Sequence, residues 1–266
     1  MDEPTDRPLI SLQVWSLHRA FFSGELDQLD MLRLCPELGL SGFEMYNTFF
    51  PSPQYVYLRG LRAEAEQLGV RLLLIVCDME GNLGAAERRE RLQAAVNHRK
   101  WVDTAVVLGC HSIRCQVQGD DSDPAAMRER AAESLRALLD YAQGSGLRIL
   151  IENHGGLSSD PDWLISLIEL VGHPQLGTLP DFGNFPKGAD WYAAVEKMMP
   201  YAGAVSAKCY DFDLDGNETT IDFARMMKIV RAAGYSGYVG IEHDGTRMPE
   251  REAVLAAKGL LERLLR

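Results

Sequence analysis

The most restrictive feature of this sequence is a regular alternation between short apolar runs and longer stretches of helical periodicity. Each apolar run is rich in aliphatic and β-branched residues, as is typical of buried strands, and is followed by a loop and an amphipathic segment. The predicted strands are 9–15, 42–46, 71–77, 111–116, 148–152, 176–180, 203–208 and 237–242. The pattern therefore predicts eight consecutive βα units.

Eight βα units in a chain of 266 residues favour a closed (β/α)8 TIM barrel. An open doubly wound sheet is the alternative, but it usually has fewer strands and often a glycine-rich first turn. The first turn here reads QVWSLHRAF and lacks the G-x-G-x-x-G pattern. Because no linker or low-complexity segment interrupts the chain, we predict an α/β protein with a single TIM-barrel domain over residues 1–266.

Two helices have clear boundary signals. The first is predicted over 124–143, with Asp123 as its N-cap and a proline in the first turn. Asp160 and the proline after it repeat this signal, and Gly172 predicts the end of the second helix.

Composition narrows the classes of partner. A formal net charge of −11 argues against a nucleic-acid partner, since phosphate backbones are bound through Lys and Arg. No apolar run approaches the ~20 residues that span a bilayer, and the acidic N-terminus MDEPTDRPLI does not resemble a secretory signal. The five cysteines are odd in number and have no paired spacing, which predicts reduced thiols. We therefore expect a cytoplasmic protein that binds neither nucleic acid nor membrane.

Acidic side chains follow three of the predicted strands at the end where a TIM barrel carries its active site. Strand 5 runs into Glu152 in ILIENHGG, strand 8 runs into Glu242 in VGIEHDG, and Asp181 follows strand 6. Other polar or aromatic residues predicted at these strand ends are Gln13, Trp15, His18, Glu44, Asn47, Cys77, Asp78, Asn82, Arg114, Gln116, Asn153, His154, Asn184, Lys208 and His243.

Three converging carboxylates repel one another unless they are protonated or a cation neutralises them. A single glutamate at a strand end is more often paired with a loop Lys or Arg, but acids on three strands favour a divalent metal. Oxygen ligands suit Mg²⁺ or Mn²⁺, and a nearby imidazole extends the choice to Zn²⁺. The sequence thus predicts a divalent cation, Mn²⁺, Mg²⁺ or Zn²⁺, held by Glu152, Asp181 and Glu242.

The whole chain resembles the xylose-isomerase-like TIM barrel superfamily of sugar isomerases and epimerases. The segments that carry the resemblance are SLQVWSLHRAF, CDMEGNLG, SIRCQVQG, ILIENHGG, LPDFGNF, VSAKCYDFDLDGNETTIDF and GYSGYVGIEHDG. The resemblance implies metal ligands on strands 5, 6, 7 and 8, which correspond to Glu152, Asp181, the strand 7 position and Glu242. Strand 7 departs from the pattern, because Ser206 stands where many relatives have His. Water, His154 or His243 could take that ligand position, or the site could bind metal weakly or not at all.

The resemblance also implies a reaction, the movement of a proton next to a sugar carbonyl. A metal would stabilise the enediolate, and Glu152 and Glu242 would act as acid and base on two sides of the substrate. Lys208 and His154 are the further catalytic candidates, for polarising the carbonyl or binding hydroxyls. The candidate substrate-binding residues are Trp15, Asn184, Arg114 and His243.

Other functions on this scaffold stay open. A lyase or hydrolase acting on an oxidised sugar or a glycoside is the main alternative, since proton abstraction next to a ketone can also expel a leaving group. A DNA-repair endonuclease would need more histidines and a basic face than this chain has. A non-catalytic sugar-binding protein is disfavoured because both glutamates remain. The sequence is compatible with a homo-oligomer.

Overall fold

The computed structural model describes residues 7–266; residues 1–6, part of the acidic N-terminal segment, lie outside the described residues. Eight strands follow one another along this part of the chain. They are β1 (Leu9–Gln13), β2 (Gly42–Tyr46), β3 (Arg71–Cys77), β4 (Ser112–Cys115), β5 (Arg148–Glu152), β6 (Leu176–Leu179), β7 (Val205–Cys209) and β8 (Tyr238–His243).

The strands form one parallel sheet that curls into a barrel. Their order is β6-β5-β4-β3-β2-β1-β8-β7, so that β6 and β7 are the two ends of the sheet. Two isolated parallel bridges, Thr178 with Ala202 and Asp181 with Ser206, join these ends. The Ser206 N–H donates to the Pro180 carbonyl at 2.9 Å. The predicted (β/α)8 barrel is therefore confirmed.

Strand limits differ slightly from those predicted. β2, β3 and β5 have the expected bounds. β1 ends at Gln13 because Val14–Leu17 turn into a 3-10 helix, where the Gln13 side chain accepts a hydrogen bond from the Trp15 N–H at 2.6 Å. β7 begins at Val205, two residues later than predicted.

Helices surround the barrel. Among the described residues they are α1 (His18–Phe22), α2 (Gln28–Glu37), α3 (Tyr55–Leu68), α4 (Arg88–Leu108), α5 (Pro124–Ala142), α6 (Pro161–Val171), α7 (Trp191–Met198), α8 (Phe223–Ala232) and α9 (Glu250–Leu264). The predicted caps are confirmed: Asp123 and Asp160 accept hydrogen bonds from first-turn N–H groups. Gly172 ends α6 with φ of 64°, a conformation that favours glycine.

The apolar residues form two cores. The larger core lies between the strands and the helices, and it contains Ile149 and Ile151 of β5. The smaller one fills the barrel interior and consists of Leu74, Val76, Leu150, Leu179 and Ala204. This interior layer forms the apolar floor beneath the carboxyl ends of the strands.

Two further expectations concern cysteines and membranes. All five cysteines are buried and free, as their spacing predicted. Within residues 7–266, no helix combines the length and apolarity needed to cross a bilayer.

Candidate active site

Three buried acids meet at the carboxyl end of the barrel. One carboxylate oxygen from each of Glu152, Asp181 and Glu242 lies within 4.8 Å of the other two. Their placement follows from the two-residue repeat of a strand. Leu150 and Leu179 point into the barrel interior, so Glu152 and Asp181, each two residues further along, extend the same inward row.

Two cationic side chains hold the glutamates in ionic contact. Arg114 on β4 donates both to Glu152 and to Asp78, and it is almost fully buried. Lys208 on β7 lies 2.6 Å from Glu242. Burial alone would lower the pKa of Lys208, but the Glu242 and Asp181 carboxylates raise it above its usual value. Conversely, burial opposes ionisation of Glu242, yet Lys208 and Ser206 bring its pKa below the usual value.

Asp181 is fixed by its backbone surroundings. Its Oδ1 accepts the Gly183 N–H at 2.7 Å and the Asn184 N–H at 2.9 Å. The Asn153 side chain brackets its main chain, donating to the Asp181 carbonyl at 3.0 Å and accepting its N–H at 2.8 Å. Backbone and amide hydrogen bonds thus position the aspartate.

The Ser206 hydroxyl joins two of the acids. Its oxygen lies 2.8 Å from Asp181 Oδ2 and 2.8 Å from Glu242 Oε2. A hydroxyl has one proton to donate, so it cannot donate to both carboxylates at once. Burial raises the pKa of Asp181 to about 7, and a protonated Asp181 can donate to Ser206 while Ser206 donates to Glu242. Near and below pH 7, this arrangement can hold a proton between Asp181 and Ser206.

The charges and the donor atoms fit a divalent cation. Asp78, Glu152, Asp181 and Glu242 are four acids, and Arg114 and Lys208 are two cations, so ionised groups leave an excess of two negative charges. The Arg114 contact uses Glu152 Oε2, whereas Oε1 has only a 3.4 Å contact with the Asn184 amide. All the clustered donors are oxygens, which suit Mg²⁺ and Mn²⁺.

Neither of the two nearby histidines belongs to the acid cluster. His154 Nδ1 lies 3.1 Å from the Gln116 amide nitrogen, and burial, then Arg114, lowers the pKa of its ring. His243 lies on the opposite face of β8 from Glu242, where its Nε2 donates to the Tyr210 carbonyl at 3.0 Å. The Ser206 position is therefore not filled by an imidazole from the described residues.

Trp15 contributes to an aromatic wall at the mouth. Its ring stacks on His18 with centroids 4.7 Å apart and lies 5.1 Å from Tyr46 and 6.2 Å from Phe49. The His18 Nδ1 donates to the Trp15 carbonyl at 2.7 Å, which fixes the stacked pair. Aromatic walls of this kind commonly border small-molecule sites.

Sequence reasoning missed Tyr46, and it placed Glu44 at a strand end without giving it a role. The Tyr46 hydroxyl donates to Asp78, which extends the Arg114 network. Glu44 is buried in the barrel interior beside Gly240, where a Cβ would lie 2.4 Å from its carboxylate. Burial raises the pKa of Glu44 to about 7. The inward period of β2 could have identified both, since Glu44 and Tyr46 are two residues apart.

The raised pKa of Asp181 predicts a pH dependence of Mn²⁺ binding. Below about pH 7 a proton occupies the carboxyl that a cation needs, so affinity should fall by up to about tenfold per pH unit, and above pH 7 it should level off. Isothermal titration calorimetry between pH 5.5 and 8.5 measures this. Asp181→Asn is the control and should weaken binding at every pH; an unchanged pH slope in that variant would assign the proton to Glu44 instead.

Ser206→His is expected to tighten Mn²⁺ binding by at least about tenfold, since even outer partners of metal ligands have effects of this size. Ser206 lies between Asp181 and Glu242, so an imidazole there would join their donor atoms. Ser206→Ala is the matched variant and should change affinity much less, because a neutral hydroxyl is a weak donor to a divalent ion. Equal affinities in all three proteins would place strand β7 outside the metal's ligands.

The fold and the site together define a TIM-barrel protein with a carboxylate-rich centre at the carboxyl ends of its strands. The chain belongs to the xylose isomerase-like TIM barrel family, whose model matches residues 32–264.

Solved structures share this fold along nearly the whole chain. A D-tagatose 3-epimerase-like protein matches with a TM-score of 0.79 and 15% identity, covering 97% of both chains. The 3-keto-D-glucoside 4-epimerase from E. coli, in its apo form, matches with a TM-score of 0.77 and 16% identity, covering 97% of this chain and 100% of the other. The IolI protein with a zinc atom matches with a TM-score of 0.78 and 14% identity, covering 97% and 98%.

Proposed function

We propose that this protein is a sugar isomerase or epimerase that moves a proton next to a carbonyl with the assistance of a divalent metal. The observation that carries the proposal is the pair of buried glutamates, Glu152 and Glu242, each held by its own cation within reach of Asp181. They extend from β5 and β8, which β6 and β7 separate around the barrel. Two carboxylates on different sides of one carbon can remove a proton and return one.

A divalent cation held by Glu152, Asp181 and Glu242 would polarise the carbonyl and its neighbouring hydroxyl. The side chains of the protein perform the remaining tasks. Glu152 and Glu242 exchange protons with the substrate carbon, and Lys208 and His154 hold its oxygens. Arg114 orients Glu152, because its guanidinium binds Glu152 and Asp78 at the same time.

The solved relatives support a small-molecule sugar as substrate. Besides the epimerase and the epimerase-like protein already described, a D-psicose 3-epimerase solved with D-tagatose has the same fold, with a TM-score of 0.77 and 16% identity. Trp15, Asn184 and Arg114 are proposed to contact that sugar at the mouth. His243 would act indirectly, since its ring bonds the Tyr210 carbonyl on the other face of β8.

Proton–deuterium exchange tests the proposal directly. Purified protein is incubated in D₂O with a panel of ketoses and oxidised sugars, before and after exhaustive chelation and with Mn²⁺ restored. Proton NMR should show the loss of the signal of a proton on a carbon next to the carbonyl, together with the signals of an isomeric sugar and of no released group. Release of a leaving group would instead support the lyase alternative, and full activity after chelation would contradict the role of the metal.

A further inference from the structure

A second groove opens beside the acid cluster. It has a volume of about 630 Å³, within the range of small-molecule sites. Its lining residues include Gly183, Phe185, Trp191, Tyr192, Tyr210 and Arg225. Four of these six are aromatic, and the groove lies beyond the β6 loop from the cavity that contains His154 and Asn184.

The groove adjoins the acid cluster at Gly183 and Tyr210. Tyr210 continues the inward row of Ser206 and Lys208 past the end of β7. A Cβ at Gly183 would lie 2.9 Å from the Tyr210 hydroxyl and 3.1 Å from the Lys208 side chain. Lys208 in turn contacts Glu242 at 2.6 Å. The groove therefore begins one side chain away from the Lys208–Glu242 pair.

The polar groups of the groove favour a neutral ligand over an anion. Arg225 stacks over the Tyr192 ring at 4.0 Å and lies 3.8 Å from Asp190. Asp190 caps the N-terminus of α7, accepting the Tyr192 and Ala193 N–H groups at 3.1 Å. This carboxylate already occupies the position where a helix would bind a phosphate. Lys187 is exposed on the loop and is the remaining cation in the lining.

The aromatic surface suits the C–H face of a sugar ring. Trp191 and Tyr192 are partly exposed, and Phe185 packs behind Trp191 with centroids 6.3 Å apart. Aromatic faces carry partial negative charge and attract the weakly positive C–H groups of a pyranose. The Tyr210 hydroxyl has no hydrogen-bond partner among the described residues, and burial raises the pKa of Tyr210 to about 12, so it remains available to a sugar hydroxyl.

We infer that this groove is a subsite for a second, uncharged sugar ring, so that the substrate is a glycoside or disaccharide. The inference rests on the proposed function, since the first ring must occupy the acid cluster. Trp191 and Tyr192 stack on the second ring, and the Tyr210 hydroxyl lies between the two rings. Because Gly183 has no side chain, Tyr210 and Lys208 can pack closely against the β6 loop.

The four tryptophans provide the test. Trp191 lies in the groove and Trp15 at the acid cluster, whereas Trp101 and Trp163 are buried and serve as internal controls. Protein labelled with ¹⁵N at the indole nitrogens is titrated with D-fructose, with lactulose and maltulose, which add a hexose to fructose, and with D-fructose 6-phosphate. The titrations extend to concentrations on the order of 100 mM, so that millimolar binding is visible.

The disaccharides should shift the Trp15 and Trp191 signals, and fructose should shift Trp15 alone. Trp191→Ala should weaken disaccharide binding by about tenfold and leave fructose binding unchanged, whereas Trp191→Phe should retain most of the affinity because it keeps a flat ring. If the disaccharides shifted the Trp15 signal but not the Trp191 signal, the subsite would be overturned and the proposed function would stand. A shift of Trp191 with the phosphate ester alone would also overturn it. If no sugar shifted either the Trp15 or the Trp191 signal, both the subsite and the proposed function would be contradicted.

Discussion

Glu152→Gln is expected to lower the rate of substrate deuterium exchange by roughly 10²–10⁴-fold, the usual contribution of a general acid or base. The amide has the shape of the carboxylate but cannot accept the substrate proton. Folding should survive, because Arg114 retains Asp78 as an ionic partner after the change. The rate is measured by proton NMR in D₂O, and thermal unfolding confirms that the variant is folded.

Glu133→Gln is the matched control for this experiment. Glu133 also pairs with arginines, Arg88 and Arg91, but it lies on α5 outside the barrel mouth. Its replacement should leave the exchange rate within about twofold of the original, because Glu133 lies outside the barrel mouth and surface ion pairs contribute little to stability. A Glu152→Gln protein as active as the Glu133→Gln control would remove Glu152 from the chemistry.

Arg114→Met should destabilise the protein by about 3–5 kcal/mol, because it leaves the buried Glu152 and the partly buried Asp78 without their cation. Urea unfolding measures the loss. Arg88→Met is the control; Arg88 pairs with Glu133 at the surface, and its removal should cost about 1 kcal/mol or less.

A double variant separates the cost of unpaired charge from the cost of lost packing. Arg114→Met combined with Glu152→Gln should recover part of the stability, since one of the two stranded acids is then neutral. If Arg114→Met alone lost no more than Arg88→Met, the buried network would not be an energetic centre of the fold.

The strand repeat made much of this site predictable from sequence. Glu152 and Glu242 end apolar runs, and the period of two places each of them on the face that points into the barrel. The same period would have separated His243 from Glu242, because adjacent residues of a strand face opposite sides. That consequence is visible in the bond from His243 to the Tyr210 carbonyl.

Contacts between segments that are distant in the chain could not be predicted from the sequence. Arg114 meets Asp78 across 36 positions and Glu152 across 38. Any of the many acids of the chain could have paired with it, and the choice depends on the stagger of β3, β4 and β5. The approach of Tyr210 to Gly183 likewise depends on how β7 closes against β6, which no local pattern encodes.

The loop after β7 contains a local sequence pattern whose side chains have a different role in the structure from the one that the pattern suggests. The spacing of its acids resembles a calcium-binding loop. Such a loop lies between two helices, whereas this one follows a strand. Glu218 instead turns inward and accepts backbone N–H groups, including those of Tyr210 at 3.0 Å and Thr220 at 2.6 Å. Asp213 accepts the N–H groups of Asp215 and Asn217. These side chains stabilise the loop through its own backbone.

Ser206 affects how the metal content of the site would depend on the supply of metal in the cell. With a hydroxyl where an imidazole would stand, the clustered donors are all hard oxygens, and Zn²⁺ loses the nitrogen ligand that would favour it. Oxygen ligands suit both Mg²⁺ and Mn²⁺, so the availability of each ion helps to decide which one binds. If the proposed function is correct, the fraction of active enzyme would follow the free concentrations of Mn²⁺ and Mg²⁺. Activity could then rise or fall with metal supply while the amount of protein stays constant.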